Sequence, residues 1–66
     1  MSILTPKEYK ILQKIAEDKT NNDISEELGI SKRTVEHHIS SIIRKLNVDS
    51  RVGAVVIAIK LGLLHI

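Results

Sequence analysis

Residues 24–40, ISEELGISKRTVEHHIS, hold two apolar patterns separated by a break of three residues. Ile24 and Leu28 stand four apart, the spacing of one helical face. Gly29 follows where a left-handed residue closes a helix. Ile30 returns to the core, and Ser31 is a favourable N-cap. Val35 and Ile39 then open a second helical stripe, which Ile42, Ile43 and Leu46 continue. The order is helix, glycine-containing turn, helix, with only Gly29, Ile30 and Ser31 between the two. The spacing predicts helices over about 22–28, capped by Thr20 or Asn21, and 32–46.

The second of these helices has an outer face unlike its core stripe. Arg33, His37, Ser40 and Arg44 lie opposite the apolar residues. Thr34, His38, Ser41 and Lys45 form one flank, and Glu36 lies on the other. The face turned from the core is therefore basic and small. A helix pair joined by a tight turn, with such a face on its second helix, is the pattern of a helix-turn-helix reader of DNA. The first half of such a helix fits the major groove, where side chains reach base edges. Its N-terminus offers unpaired N–H groups and a positive dipole end to a phosphate. Ser31, Lys32, Arg33 and Thr34 cluster there. Small Ser40 and Ser41 allow close approach, and Arg44 and Lys45 can reach the flanking backbone.

Working outward, Thr5, Pro6 and Glu8 form a capping box with proline at the first helical position, predicting a helix over 6–17. Leu4 and Tyr9 are placed for a hydrophobic staple. Tyr9, Leu12, Ile15 and Ala16 form its expected apolar face. A fourth helix is expected over 51–61, capped by Ser50 or Asp49 and stopped by Gly62. It is apolar nearly all round. Ala54, Val55, Ala58 and Leu61 should face the core, which leaves Val52, Val56 and Ile59 without an obvious internal partner. They either form a contact with a second copy or lie under the tail residues Leu63, Leu64 and Ile66; a line of exposed apolar residues favours the first. The fold class is all-α, a four-helix bundle in one domain, 1–66, with the helix-turn-helix at about 21–46.

Composition supports this. The 66 residues contain no cysteine, one proline, three glycines and one aromatic, which favours helices over a small β-barrel. A chain of this length buries only about 60% of the surface its unfolded form exposes, so stability should be modest. The net charge of +2 is unevenly spread. Residues 1–30 carry four basic and six acidic side chains, net −2, and residues 31–66 carry six basic and two acidic, net +4. The positive half contains the candidate reading helix, which suits a polyanion. No apolar run approaches the roughly 18 residues of a membrane span, and the N-terminus lacks the order of a signal peptide. A cytoplasmic location is expected, with no membrane partner.

The sequence resembles a LuxR-type (GerE/FixJ-type) DNA-binding domain from residue 4 to 64. The resemblance is carried by LTPKE (4–8), TNNDISEELGIS (20–31), RTVEHHIS (33–40), RKLNV (44–48), SRVGAVVIA (50–58) and GLL (62–64). Each motif is weak alone; their order and spacing are specific. The resemblance implies a bacterial transcriptional regulator, the output domain of a response regulator or a stand-alone protein, that binds double-stranded DNA as a homodimer. It implies base contacts from Glu36, His37 and Ser40, with Arg33 as a further candidate. It implies phosphate contacts from Asn21, Ser31, Lys32, Thr34, His38, Lys45 and Arg51, which Arg44 can join, and a dimer interface on the fourth helix at Val52, Val56 and Ile59. RNA polymerase is a further candidate partner. Three positions depart from the pattern. Asp18 stands where relatives favour glycine, and aspartate can adopt the left-handed conformation at some cost. Ser25 replaces the usual alanine and is small enough to fit. Glu36 stands where relatives often carry a basic residue; an acid there repels phosphate but can accept from a cytosine amino group, which changes the sequence that is read.

Other readings fare worse. His37 and His38 are neighbours on a helix and point about 100° apart, with no further ligand nearby in sequence, so they make a poor metal pair. His65 and the Glu26–Glu27 pair read as solvated surface. No nucleophile has a base at a telling spacing and no glycine-rich phosphate loop occurs, so neither an enzyme nor a cofactor is expected. The promoter-reading region of sigma factors shares part of the pattern, but the apolar fourth helix favours the LuxR type. A protein-interaction or anti-activator module built on that fourth helix would not be expected to keep the basic face.

Overall fold

The computed structural model describes residues 3–65. Among them the chain forms four helices and no strand: α1 (Pro6–Ala16), α2 (Asn21–Leu28), α3 (Lys32–Leu46) and α4 (Arg51–Lys60). Each begins on a side-chain cap. Thr5 accepts from the Glu8 N–H while the Glu8 carboxylate accepts from the Thr5 N–H. Thr20 and Asp23 form the same box on α2. Ser31 accepts from the Thr34 N–H and Ser50 from the Gly53 N–H, both at 3.1 Å. Four otherwise orphaned first-turn donors are thereby satisfied. Of the two caps open for α2, Thr20 is the one used, so Asn21 becomes its first helical residue.

The helix ends depend on left-handed residues. Gly29 has φ +67°, and the Ile30 N–H then reaches back to the Ser25 carbonyl at 3.0 Å. This reversal aims α3 across α2. Asp18 has φ +64°, so the turn after α1 is kept without glycine. α1 itself stops at Ala16, one residue short of the expected end, with Glu17 as its cap. Asn47, at φ +56°, closes α3 and lets the Val48 N–H bond to the Ile43 carbonyl. Asparagine tolerates this conformation better than most residues.

α3 is the central element and packs against α1, α2 and α4, while α1 also meets α4. Its stripe of Val35, Ile39, Ile42 and Leu46 is buried as its period predicts, with Ile43 half-buried beside it. α2 contributes Ile24, and α4 contributes Ala54 and Ala58. Gly53 sits where an added Cβ would stand 3.3 Å from Val48 Cβ, so the first turn of α4 lies tight against the preceding turn.

Two assignments differ from expectation. On α1, Ile11 is fully buried together with Leu12, whereas Tyr9, Ile15 and Ala16 are only half-buried. The helix touches both α3 and α4, so two adjacent positions face the core. At the C-terminal end, Leu61 is exposed (57%) and Leu64 is buried (4%). Gly62, at φ +75°, folds the chain back. The Leu63 and Leu64 N–H groups then both bond to the Ala58 carbonyl, at 2.7 and 3.2 Å. Leu64 thus takes the core position expected for Leu61. Val52, Val56 and Ile59 remain exposed, so Leu64 does not cover them; Ile66 lies outside the described residues.

Candidate nucleic-acid interface

The core stripe of α3 fixes the direction of its opposite face. Lys32, Arg33, Glu36, His37, Ser40, Arg44 and Lys45 are exposed, and Thr34, His38 and Ser41 are half-buried at the edge. The hydrogen bonds of α3 side chains are few. Thr34 and Ser31 share their hydroxyls at 2.9 Å, and Ser41 and Lys45 bond to Glu8. Among the described residues, the side chains of Lys32, Arg33, Glu36, His37, Ser40 and Arg44 make no hydrogen bond or ion pair. The His37 and His38 rings meet edge to face, centroids 6.5 Å apart. The face is thus a row of donors and charges not committed to the fold.

A polar groove runs beside this row, lined by Thr5, Glu8, His37, His38, Ser40, Ser41 and Arg44. One of these lining residues is Glu8, which sequence reading assigned only to a helix cap. The carboxylate is buried and accepts three bonds of 2.8 Å each, from the Thr5 N–H, the Ser41 hydroxyl and the Lys45 ammonium. Burial pushes its pKa up, but the bonds from Lys45, Thr5 and Ser41 outweigh burial and hold the pKa at about 2, against 4.5 ordinarily. One carboxylate therefore starts α1 and locks it to α3. Glu8 and Lys45 are 37 residues apart, and no local signal announces the pair. Lys45, expected as a phosphate contact, has its ammonium committed to Glu8 while its side chain stays one-third exposed.

The remaining candidates lie on other helices. Asn21 opens α2, with its Oδ1 buried and without a hydrogen-bond partner. Arg51 opens α4 and is half-buried. Neither lines the groove beside α3. α2 is steadied against α1 by Glu27, which accepts from Lys14 at 2.7 Å and Lys19 at 3.0 Å. The bonds to Lys14 and then Lys19 lower the Glu27 pKa, and the bond to Glu27 raises that of Lys19. On α4, Val52, Val56 and Ile59 recur at helical spacing on exposed surface, with Leu61 exposed beyond them. None of the helices described is long and apolar enough to cross a membrane.

Comparison with known proteins agrees with this arrangement. Residues 2–58 match the family model of bacterial regulatory proteins of the luxR family. The chain is 47% identical over 62 residues to the transcriptional regulatory protein ComA of Bacillus subtilis (strain 168), covering 94% of this chain but 29% of ComA. It is 39% identical over 64 residues to the spore germination protein GerE of the same organism, covering 97% of this chain and 86% of GerE. The structure of the transcription factor GerE superposes with a TM-score of 0.94 at 42% identity, over 98% of this chain and 97% of that one. The response regulator ChrA of a heme-sensing two-component system superposes with a TM-score of 0.90 at 33% identity, over 97% of this chain and 32% of that one. This chain thus spans under a third of ComA and ChrA but most of GerE. Its helix-turn-helix fold and the extent of these matches place it in the luxR family of bacterial regulatory proteins, to which it belongs.

Proposed function

We propose that this chain binds double-stranded DNA sequence-specifically and regulates transcription, with α3 in the major groove. The observation that carries the proposal is the uncommitted outer face of α3, where Lys32, Arg33, His37, Ser40 and Arg44 are all exposed and make no bond to the fold. Arg33, Glu36, His37 and Ser40 lie in the half that would reach base edges. Ser31, Lys32, Thr34, His38, Arg44 and Lys45 would meet the phosphates on either side, joined by Asn21 and Arg51. The relatives named transcriptional regulators support the same role.

A second copy would dock through α4 at Val52, Val56 and Ile59, whose exposure has no internal explanation. Two copies would read half-sites about 10 bp apart. The chain would then serve in the cytoplasm as a stand-alone regulator or as the output part of a longer one, with RNA polymerase as a further contact.

Selection from random duplexes over a salt series tests the proposal. Enrichment of a two-fold symmetric site is expected, with affinity falling steeply as salt rises. Lys32→Ala should weaken all sequences alike, whereas His37→Ala should change the preferred sequence. No binding at low salt would overturn the proposal and leave α4 as the working surface of a protein-interaction module.

A further inference from the structure

We infer that Glu8 restrains DNA affinity, holding Lys45 and Ser41 at the edge of α3 so that the charge of Lys45 is offset before it meets a phosphate. This rests on the DNA-binding proposal above, and Glu8 enters it as a positioning residue that acts through Lys45. Among the described residues Glu8 is the one charged side chain that is buried. It is also the one acid lining the groove beside α3, where Arg44, His37 and Ser40 face outward. No other acid of another helix bonds to a side chain of α3 among the described residues. A helix cap alone does not call for this arrangement. Thr20 and Asp23 form the same capping box on α2 with Asp23 exposed. On α1 the carboxylate reaches past the cap to a second helix, at the edge of its uncommitted face.

The donors on that flank are partly spent. The single hydroxyl proton of Ser41 goes to Glu8 Oε2, so it is not free for a phosphate oxygen. Lys45 gives one of its N–H groups to Glu8 Oε1 at 2.8 Å and keeps the others. Its side chain is 33% exposed, so a phosphate can still approach it. Glu8 is ionised at neutral pH, so the pair presents almost no net charge to that phosphate. An ammonium already matched by a carboxylate displaces less than one counterion from DNA. Lys32 and Arg44, which make no ion pair among the described residues, carry no such restraint. The same bonds that fix α1 against α3 therefore hold back the grip of α3 on the DNA backbone.

The test is binding of one duplex over a salt series by the wild type, Glu8→Gln, Glu8→Asp and the double variant Glu8→Gln/Lys45→Gln. Active concentrations are set by stoichiometric titration at low salt. Glu8→Gln should bind about threefold more tightly at low salt, although its fold is weakened. Its plot of log affinity against log salt should steepen by up to about 0.9, the share of one phosphate. A merely structural role predicts the opposite, since a misplaced α3 binds more weakly and adds no counterion. Glu8→Asp disturbs the same bonds but keeps the charge, and should show no gain. Adding Lys45→Gln to Glu8→Gln should remove both the gain and the extra slope. A further measurement on the wild type needs no variant to fold. Duplex DNA should protect Lys32 from acetylation, read by mass spectrometry, clearly more than it protects Lys45. If Glu8→Gln binds more weakly with an unchanged slope, or DNA protects Lys45 as strongly as Lys32, the inference fails and the DNA-binding proposal survives. If no form binds DNA at low salt, both fail.

Discussion

Glu8→Gln should destabilise the domain at neutral pH and reduce its loss of stability in acid. The substitution keeps the size of the side chain and an oxygen for the Thr5 cap, but it removes the charge that Lys45 and Ser41 address. The Glu8 pKa lies at about 2 in the fold, against 4.5 ordinarily. That gap corresponds to at most about 3.4 kcal/mol. The Lys45 side chain is 33% exposed, so solvent screens part of its attraction, and about 2 kcal/mol is the expected cost. In a domain of this size that lowers Tm by roughly 8–16 °C. The sign follows from linkage. A carboxyl whose pKa is depressed in the fold contributes its full stability above about pH 4.5 and loses it as pH falls toward 2. Thermal unfolding followed by circular dichroism from pH 7 to pH 2.5 should show the wild type losing stability across that window. Its difference from Glu8→Gln should narrow there. Glu27→Gln serves as the control: its ion pairs of 2.7 and 3.0 Å lie at the surface, and it should have much the smaller effect. If Glu8→Gln matches the wild type at pH 7, or if the two lose stability in parallel toward low pH, the role given to Glu8 is wrong.

Other substitutions probe the rest of the account. Leu64→Ala should cost about 2–4 kcal/mol in urea unfolding, while Leu61→Ala changes little, since only the former is buried. Gly29→Ala should cost about 1 kcal/mol by the same assay; nothing crowds the added Cβ, so the penalty is the positive φ alone. Val56→Asp should keep the helical signal yet reduce self-association in sedimentation and weaken binding to a symmetric site, because Val56 lies on the exposed face of α4.

The helix-turn-helix was legible because its signals are local. Thr20, Gly29 and Ser31 are caps whose chemistry acts within three or four residues, and the period of Val35, Ile39, Ile42 and Leu46 spans about three turns. Asp18 and Gly62 likewise mark turns that the structure contains. What sequence reading missed depends on distant parts of the chain. Leu61 and Leu64 are equally apolar and three apart, so periodicity cannot tell which reaches the core once Gly62 reverses the backbone. Ile11 is buried because α1 meets two helices, which no single-face pattern reveals. The capping role of Glu8 follows from Thr5 three residues earlier, but its bonds to Ser41 and Lys45 exist only once α1 lies across α3. The exposed face of α3 was legible by subtraction, as what the core stripe leaves over. Which of its side chains the fold itself employs was not, and Lys45 is the case in point.

The central claim is that the outer face of α3 is the surface that meets DNA. Backbone amide resonances followed by NMR as duplex DNA is added at low salt test it most directly. The account predicts the largest shifts from Ser31 to Arg44 on the outer face of α3, with smaller ones at the start of α2. Shifts confined to α4 around Val52, Val56 and Ile59, or no shifts at any duplex concentration, would contradict it.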